Sequence, residues 1–367
     1  MSWTPTAAAA VPIIAIAFVL AAVLALVITP VVRRFVRSRG ILDHPNERRV
    51  NRRPLPRGGG VAVVIAFAAV AGVLTLFDRQ IPGMPAPVAI GTSQLIGLFA
   101  GGLFAAVIGA IDDALDLRAR WQLLGQVAVA LVAVVGGITV SRIGSPFSND
   151  VIPFDAWVGI AFTVVWIVGM INSLNFIDGL DGLSSGIAFI AAVTLGILSL
   201  TVQVGQPFVA VLCFALAGAL LGFLRWNFHP AVIFQGSAGV MFLGYTLAVL
   251  AILGTAKVIV ALLVLGIPII DSFWVIVRRL FSGRSPFSPD RGHIHHRLLD
   301  VGLSHRATVL LIYGMCATLG LMSLVVPVST GLLAFLAVLV GFGVLLYLLG
   351  RRVETGLTGL ENDEVRT

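Results

Sequence analysis

Charged residues are scarce in this sequence of 367 residues: Asp, Glu, Lys and Arg make up 11% of it, whereas 58% is hydrophobic. Soluble domains average about 25% charged and about 45–50% apolar residues, so the scarcity excludes a disordered chain and a soluble enzyme. Cysteine is nearly absent: Cys213 and Cys316 both lie in apolar stretches, which excludes a secreted disulfide scaffold. The long apolar runs and a mean hydropathy of +1.04 instead predict an integral membrane protein.

The apolar runs predict an all-α protein with about eleven transmembrane helices. We expect one polytopic domain over residues 1–350 and a short charged tail over 351–367. The first run is not expected to be a signal peptide, because no positive charge precedes it and it is too long. The predicted spans are 7–32, 61–77, 91–111, 121–140, 156–173, 187–203, 208–224, 238–255, 257–277, 307–327 and 330–350.

The distribution of charge predicts the orientation. With the N-terminus outside and the C-terminus in the cytoplasm, 21 of the 24 Lys and Arg residues lie inside, as the positive-inside rule requires. This rule accounts for the net charge of +7, so no nucleic-acid partner is predicted. The same topology places all six histidines and 14 of the 17 acidic residues inside, which the rule does not require. We therefore expect a polar active-site cleft on the cytoplasmic face.

The first predicted cytoplasmic loop, residues 43–60, reads DHPNERRVNRRPLPRGGG. Its prolines and glycines are typical of a non-helical segment. Guanidinium groups such as that of Arg53, and open backbone N–H groups such as that of Gly59, suit a phosphate-bearing ligand. A basic loop on anionic lipid explains the arginines equally well, but it does not explain three glycines where the backbone must approach something closely.

The second loop begins with Asp112 and Asp113 at the end of the third predicted span. Adjacent carboxylates at the edge of the hydrocarbon repel each other unless a cation lies between them. Hard oxygen ligands favour Mg²⁺, with Mn²⁺ as an alternative. The competing interpretation is an acidic helix end that faces water.

The segment 172–186, NSLNFIDGLDGLSSG, carries the most specific pattern. Asp178 and Asp181 are three residues apart, so on a helical turn they would share a face. A glycine follows each acid and would break the helix. We therefore predict a broken helix that lines a polar cavity.

Three further features leave alternatives open. The small residues 236–239 at the start of a predicted helix favour either an anion or close helix packing. Asp271, in a predicted span, is either an ion-pair member or a support for a functional residue. The segment 285–297, SPFSPDRGHIHHR, suggests zinc through its three histidines, but its arginines and the absence of cysteine favour a pyrophosphate.

Together these motifs resemble the polyprenyl-phosphate N-acetylhexosamine-1-phosphate transferases of glycosyltransferase family 4. The match runs in order from the first span to Arg306, and the histidine segment is most similar to the undecaprenyl-phosphate N-acetylglucosamine-1-phosphate transferase branch. The resemblance implies a multi-pass enzyme of the bacterial plasma membrane. It would transfer a UDP-activated amino-sugar phosphate to polyprenyl phosphate, release UMP and require Mg²⁺.

The resemblance also implies roles for individual residues. Asp112 and Asp113 would be catalytic, and Asp113 and Asp178 would hold the metal ion. Since a phosphate monoester is mostly dianionic at neutral pH, we expect Asp112 to act in placement more than as an obligatory base. The implied substrate-binding residues are Asn175, Asp178, Asp181, Arg53, Gly59, Arg291, His293, His295 and His296.

Two positions depart from the family pattern. Ser237 stands where the family has a metal-binding Asp, and it offers only a weak neutral ligand; Asn51 stands where the family has a His. The alternative function is therefore an impaired or inactive paralogue that binds UDP-sugar or lipid phosphate. An ion-coupled transporter ranks lower, because the acids lie at span ends on one side. A homodimer is an open alternative that no motif predicts.

Overall fold

The structure, a computed structural model, is predominantly helical. It describes residues 5–43, 54–144, 151–202, 204–254, 261–262, 265–283 and 292–325, with 333, 336–338, 340, 341 and 344. Its helices are α1 (Pro5–Ser38), α2 (Gly60–Leu76), α3 (Thr92–Leu115), α4 (Ala119–Val135), α5 (Ala156–Ile177), α6 (Leu183–Ser199), α7 (Pro207–Asn227), α8 (Gly236–Leu253), α9 (Gly266–Phe281), α10 (Ile294–Asp300) and α11 (His305–Val325). Six of them, α1, α3, α5, α7, α8 and α11, are long and apolar enough to cross a membrane. The chain is thus a helical multi-pass membrane protein.

Most predicted apolar segments coincide with helices α1–α8 and α11, with ends displaced by a few residues. α1 continues to Ser38, six residues beyond its predicted end, and α6 begins at Leu183, four residues before its predicted start. Both differences arise because the helix continues through polar residues at the end of the span, and a search for apolar runs leaves these residues out. The predicted span 257–277 is described as α9 from Gly266, and 330–350 lies largely outside the described residues.

Helix α8 lies at the centre of the described helices, and α3, α5, α2 and α6 pack around it. α7 is also largely buried, and it packs against α1 through two glycines one turn apart. A Cβ atom at Gly218 would lie 2.1 Å from the Phe18 carbonyl oxygen, and one at Gly222 would lie 2.1 Å from that of Ala22. Small residues at this spacing let membrane helices approach closely where lipid provides no hydrophobic driving force.

The loop before α2 is fastened to the start of α8. Gly59 N donates to Phe234 O at 2.8 Å, and Gly60 N donates to Gln235 O at 2.8 Å. A Cβ atom at Gly60 would lie 2.1 Å from the Gly239 Cα atom. The predicted close approach of the glycines is confirmed, but they approach protein backbone. The Gly59 N–H group therefore donates to protein backbone. This corrects the prediction that it is open to a phosphate.

Two short antiparallel strand pairs interrupt the helical pattern. β1 (Leu42–Asp43) pairs with β2 (Leu55–Pro56), and β3 (Arg142–Gly144) pairs with β4 (Val151–Pro153). Sequence analysis did not predict them, because strands of two or three residues carry no measurable period. The first pair returns the loop to the end of α1, where Arg57 N donates to Ile41 O at 3.1 Å.

Candidate active site

Asp112 and Asp113 lie in the last turn of α3, not in the loop that follows it. Their side chains are almost completely buried, with 2% and 3% of the surface exposed. Two adjacent carboxylates withdrawn from water are unstable unless positive charge or hydrogen-bond donors compensate them. The described residues around them supply both.

Arg57 is the cation that faces this acid pair. Its Nε atom lies 2.8 Å from Asp113 Oδ1, and its terminal nitrogen lies 3.9 Å from Asp112 Oδ2. The same nitrogen donates to Ser237 Oγ at 2.9 Å. The residues predicted from the sequence include Arg53 but not Arg57. The position of Arg57 directly before the glycines that bond to the start of α8 is the sequence feature that could have identified it.

The first turn of α8 binds the carboxylate of Asp113. Ser237 N donates to Asp113 Oδ1 at 2.7 Å, and Ala238 N donates to Asp113 Oδ2 at 3.1 Å. Gly236 has a φ of +74°, and a Cβ atom there would lie 2.6 Å from Asp113 Oδ2, so only glycine fits. Both interpretations of residues 236–239 hold: they pack closely, and their free N–H groups bind an anion, which is a side chain of this chain.

Asp112 accepts hydrogen bonds at both carboxylate oxygens. Ser237 Oγ donates to Oδ2 at 2.5 Å, while Gln122 Nε2 and Leu117 N donate to Oδ1 at 2.7 and 3.1 Å. Three donors therefore hold the carboxylate in a fixed orientation. The hydroxyl of Ser237 donates to Asp112 and accepts from Arg57, so it retains one lone pair.

The predicted helix break between residues 178 and 182 is confirmed. α5 ends at Ile177 and α6 begins at Leu183. Ser184 Oγ donates to Asp178 Oδ1. Withdrawal from water raises the pKa of Asp178 to about 7, although the Ser184 hydrogen bond and the charge of Arg57 oppose this rise. The charges of Asp113 and Asp181 raise it further, so the helix break lies within electrostatic reach of the α3 acids.

A buried polar network adjoins Asp178. Ser184 Oγ lies 3.1 Å from Gln235 Oε1, and Ser185 Oγ is also in hydrogen-bond contact with Gln235. Ser185 Oγ lies 2.7 Å from Asn227 Oδ1, and Asn227 Nδ2 donates to Ile233 O at 3.0 Å. The network joins the helix break, the end of α7 and the start of α8. Sequence analysis missed it, since single buried Ser, Gln and Asn residues have no recognisable spacing.

Asp178 and Asp181 do not lie on a helical turn, which corrects the predicted shared helical face. The break is a turn, so the helical spacing does not apply. Asp181 Oδ2 lies 2.7 Å from His229 Nδ1 and accepts from Ala231 N at 3.0 Å. His305 stacks on His229 with 4.1 Å between ring centroids and 22° between planes.

The donor atoms of Asp181, His229 and His305 lie within 4.8 Å of one another, as in a metal site. An imidazole binds a metal ion in the plane of its ring, at about 2 Å. Because the two rings are stacked, both cannot direct lone pairs at one ion. The arrangement is a carboxylate–imidazole hydrogen bond covered by a second ring.

The predicted histidines meet the helix break. His293 Nδ1 lies 2.7 Å from Asp271 Oδ2, and Ile294 N donates to Asp271 Oδ1 at 2.8 Å, so Asp271 supports the start of α10. His295 lies against Gly179, where a Cβ atom would be 2.3 Å from its Nε2 atom. Within the described residues, neither ring nitrogen of His295 has a hydrogen-bond partner.

Burial, together with the neighbouring His296 and His293, keeps the pKa of His295 well below its usual range. His295 is therefore neutral at physiological pH. His296 lies beside it, with 4.3 Å between the ring centroids. A neutral imidazole can donate through one nitrogen and accept through the other, so His295 retains both capacities for a ligand.

The remaining predicted residues fall into two groups. Asn175 lies in the last turn of α5, and its carbonyl oxygen accepts from Asp178 N at 3.4 Å. Arg53, Arg291 and Asn51 lie outside the described residues. The structure thus brings Asp112, Asp113 and Ser237 into contact with one another, places Asp178 within electrostatic reach of Asp113, and sets His295 against the turn that Asp178 begins.

Comparison with known proteins gives consistent similarities. Residues 95–255 match the family described as Glycosyl transferase family 4. A probable undecaprenyl-phosphate N-acetylglucosaminyl 1-phosphate transferase of Bacillus subtilis is 33% identical over 96% of this chain and 94% of its own. A decaprenyl-phosphate N-acetylglucosaminephosphotransferase of Mycolicibacterium smegmatis is 36% identical, over 75% of this chain and 72% of its own. An undecaprenyl-phosphate alpha-N-acetylglucosaminyl 1-phosphate transferase of Yersinia pestis is 30% identical, over 80% and 79%.

Proposed function

Because the chain belongs to glycosyltransferase family 4, among the polyprenyl-phosphate N-acetylglucosamine-1-phosphate transferases, we propose that it transfers N-acetylglucosamine 1-phosphate from its UDP-sugar to polyprenyl phosphate. UMP is released, and the lipid product starts a cell-envelope glycan. The observation that carries this proposal is the clustering of Asp113, Asp178 and Arg57 at the start of α8.

The proposed enzyme spans the bacterial plasma membrane about eleven times, with its N-terminus outside. The positive-inside distribution of Lys and Arg supports a cytoplasmic site. This placement suits the chemistry, since a lipid acceptor and a water-soluble donor can meet only at a polar cleft open to the interface. The single domain over residues 1–350 and the charged tail over 351–367 remain part of the proposal.

The donor set of the site fits Mg²⁺. Asp113 and Asp178 offer hard carboxylate oxygens and interact electrostatically. As the family resemblance implies, we assign the metal ion to Asp113 and Asp178, with substrate phosphates completing its shell. When bound, Mg²⁺ supplies neutralising charge to the diphosphate. Ser237 has one remaining lone pair, and its role as a weak ligand stays a prediction.

In the reaction, a phosphate oxygen of polyprenyl phosphate attacks the β-phosphorus of the UDP-sugar. The bond from that phosphorus to the oxygen bridging the two phosphates breaks, and UMP leaves with that oxygen. Such transfers depend on positioning and charge neutralisation rather than on covalent help from protein. Arg57 faces the acids with a side chain that is 22% exposed, and His295, with His296 beside it, adjoins the turn that Asp178 begins.

In this mechanism Asp112 positions Ser237 and does not remove a proton from the attacking phosphate. The attacking phosphate is already mostly a dianion near neutral pH and needs no general base, while three hydrogen bonds hold the Asp112 carboxylate in place. Asp112 therefore fixes Ser237 and, through it, the first turn of α8 that holds Asp113.

The test is direct. Purified protein in lipid nanodiscs receives polyprenyl phosphate, UDP-N-acetylglucosamine and Mg²⁺, and UMP is measured. Asp178→Asn should abolish turnover while the melting temperature persists, whereas Asp300→Asn, an exposed acid at the end of α10, should retain the wild-type rate. No UMP from the wild-type protein, with UDP-sugar binding retained, would instead support the inactive paralogue suggested by Ser237.

A further inference from the structure

Gln235 is completely buried at the start of α8, one residue before the turn that binds Asp113. We propose that Gln235 is a positioning residue: its side-chain NH₂ group donates to Ser184, which directs the single hydroxyl hydrogen of Ser184 to Asp178. The inference rests on the proposed function, in which Asp178 binds the metal ion. It adds a residue that no motif indicated.

The serine hydroxyls have fewer hydrogens than contacts. Ser184 Oγ contacts Asp178 and Gln235, and Ser185 Oγ contacts Asn227 and Gln235. Each hydroxyl has one hydrogen to donate. Two serines therefore have two hydrogens for four contacts, so two of the contacts must receive their hydrogen from the other side.

Asp178 and Asn227 take the serine hydrogens. A carboxylate that binds a metal ion is ionised and can only accept, so Ser184 donates to Asp178. Asn227 uses its NH₂ group to donate to Ile233 O, which turns Asn227 Oδ1 toward Ser185. Ser185 therefore donates to Asn227. Both hydroxyl hydrogens are now used.

The side-chain amide of Gln235 must then donate to both serines. The two ends of a carboxamide have nearly the same shape, and the hydrogen-bond network decides between them. With Oε1 toward the serines, Nε2 is buried with no partner among the described residues. A buried donor without a partner costs roughly 1–3 kcal/mol. With the NH₂ group toward the serines, both of its hydrogens are used, each of the four serine contacts has one hydrogen, and Oε1 takes the buried position that Nε2 would otherwise occupy.

The resulting series of hydrogen bonds, from Gln235 through Ser184, fixes the direction of the Asp178 carboxylate. Gln235 is anchored in turn, because Gln235 O accepts from Gly60 N at 2.8 Å and its side chain lies against Gly239. The loop carrying Arg57, the start of α8 and the helix break are therefore joined by one set of hydrogen bonds. Asp178 is held against the same framework that holds Asp113.

The test is a double-mutant cycle on the full-length protein. Gln235→Met keeps the length of the side chain and removes both donors, while Ser184→Ala removes the intermediary. Ser184→Thr retains the hydroxyl. The control is Ser199→Ala, a buried serine of the same helix whose hydroxyl donates only to Leu195 O within the described residues. Gln235→Asn, which withdraws the amide from the serines, replaces Gln235→Met if the latter does not fold.

The measurements are kcat, KM for the UDP-sugar, and direct Mn²⁺ binding by electron paramagnetic resonance. Gln235→Met and Ser184→Ala should each lower kcat and weaken Mn²⁺ binding by roughly 10- to 100-fold, the effect of losing the hydrogen bond that orients the charged Asp178 carboxylate. The double variant should be no worse than Ser184→Ala, because Gln235 acts through Ser184. Ser184→Thr should recover most of the loss, and Ser199→Ala should match the wild type.

Three results would overturn the inference: wild-type Mn²⁺ binding in Gln235→Met, multiplying effects in the double variant, or losses that follow the folded fraction alone. Failure of the proposed function has a different signature, since the wild-type protein would then release no UMP. In that case Mn²⁺ binding by the same variants still decides whether Gln235 orients Asp178.

Discussion

Ser237 donates its hydroxyl hydrogen to Asp112, with 2.5 Å between the two oxygen atoms. At the position where the family resemblance implies a third carboxylate, this chain therefore has a donor that satisfies one of the other two. Among the described residues, the Arg57 guanidinium and the N-terminus of α8 face the acid pair and compensate part of its negative charge.

Replacing Ser237 by Asp should make stability depend on a divalent ion. The Ser237→Asp carboxylate would lie beside Asp112 and Asp113, and three buried carboxylates repel unless a cation joins them. We expect a melting temperature several degrees below wild type in EDTA and recovery in millimolar Mg²⁺, measured by scanning calorimetry in detergent. Ser282→Asp, on the exposed residue after α9, is the matched control. Equal stability of Ser237→Asp and wild type in EDTA would contradict this electrostatic account.

Asp113→Asn should lower turnover by about 100-fold or more, because one negative charge is lost opposite Arg57 and the α8 N–H groups, as is one proposed metal ligand. UMP release and circular dichroism measure the rate and the fold. Asp116→Asn is the control: Asp116 is exposed, and its φ of +50° suits asparagine. A wild-type rate in Asp113→Asn would mean that the site is wrongly assigned.

Arg57→Lys should reduce kcat by roughly 10-fold even though the charge is kept. A planar guanidinium reaches Asp113 and Ser237 at once, while an ammonium group is a point charge without that fork. Steady-state UMP release separates kcat from KM. Arg118→Lys, on the exposed residue before α4, should be silent. If Arg57→Lys is equally silent, the forked contact has no catalytic importance.

Gly60→Ala should destabilise the protein by more than Gly72→Ala in the same helix. A Cβ atom at Gly60 would lie 2.1 Å from Gly239 Cα, whereas one at Gly72 would meet nothing within 4 Å. Overpacking costs roughly 1–3 kcal/mol, while alanine is favoured over glycine in open helix positions. Thermal unfolding of both variants in detergent gives the comparison. Similar melting temperatures would show that α2 and α8 can move apart at this contact without loss of stability.

Sequence alone predicted the helix break at Asp178 and the close approach of the backbone at residues 58–60. Glycine after each acid in a membrane segment leaves little alternative to a break, and consecutive glycines mark places where side chains do not fit. These are local constraints. The partner at each place was not predicted: Gly59 approaches Phe234, and Asp181 pairs with His229.

Composition by itself determined that this is a helical membrane protein, and the charge pattern predicts that its polar segments share one side. Whether a segment can span a bilayer depends on the length and apolarity of that segment alone. Tertiary structure decided which polar groups meet: Ser237 contacts Arg57 across 180 positions of sequence and Asp112 across 125. Hydrogen bonds act over about 3 Å, so their partners depend on how whole helices pack, which no local pattern specifies.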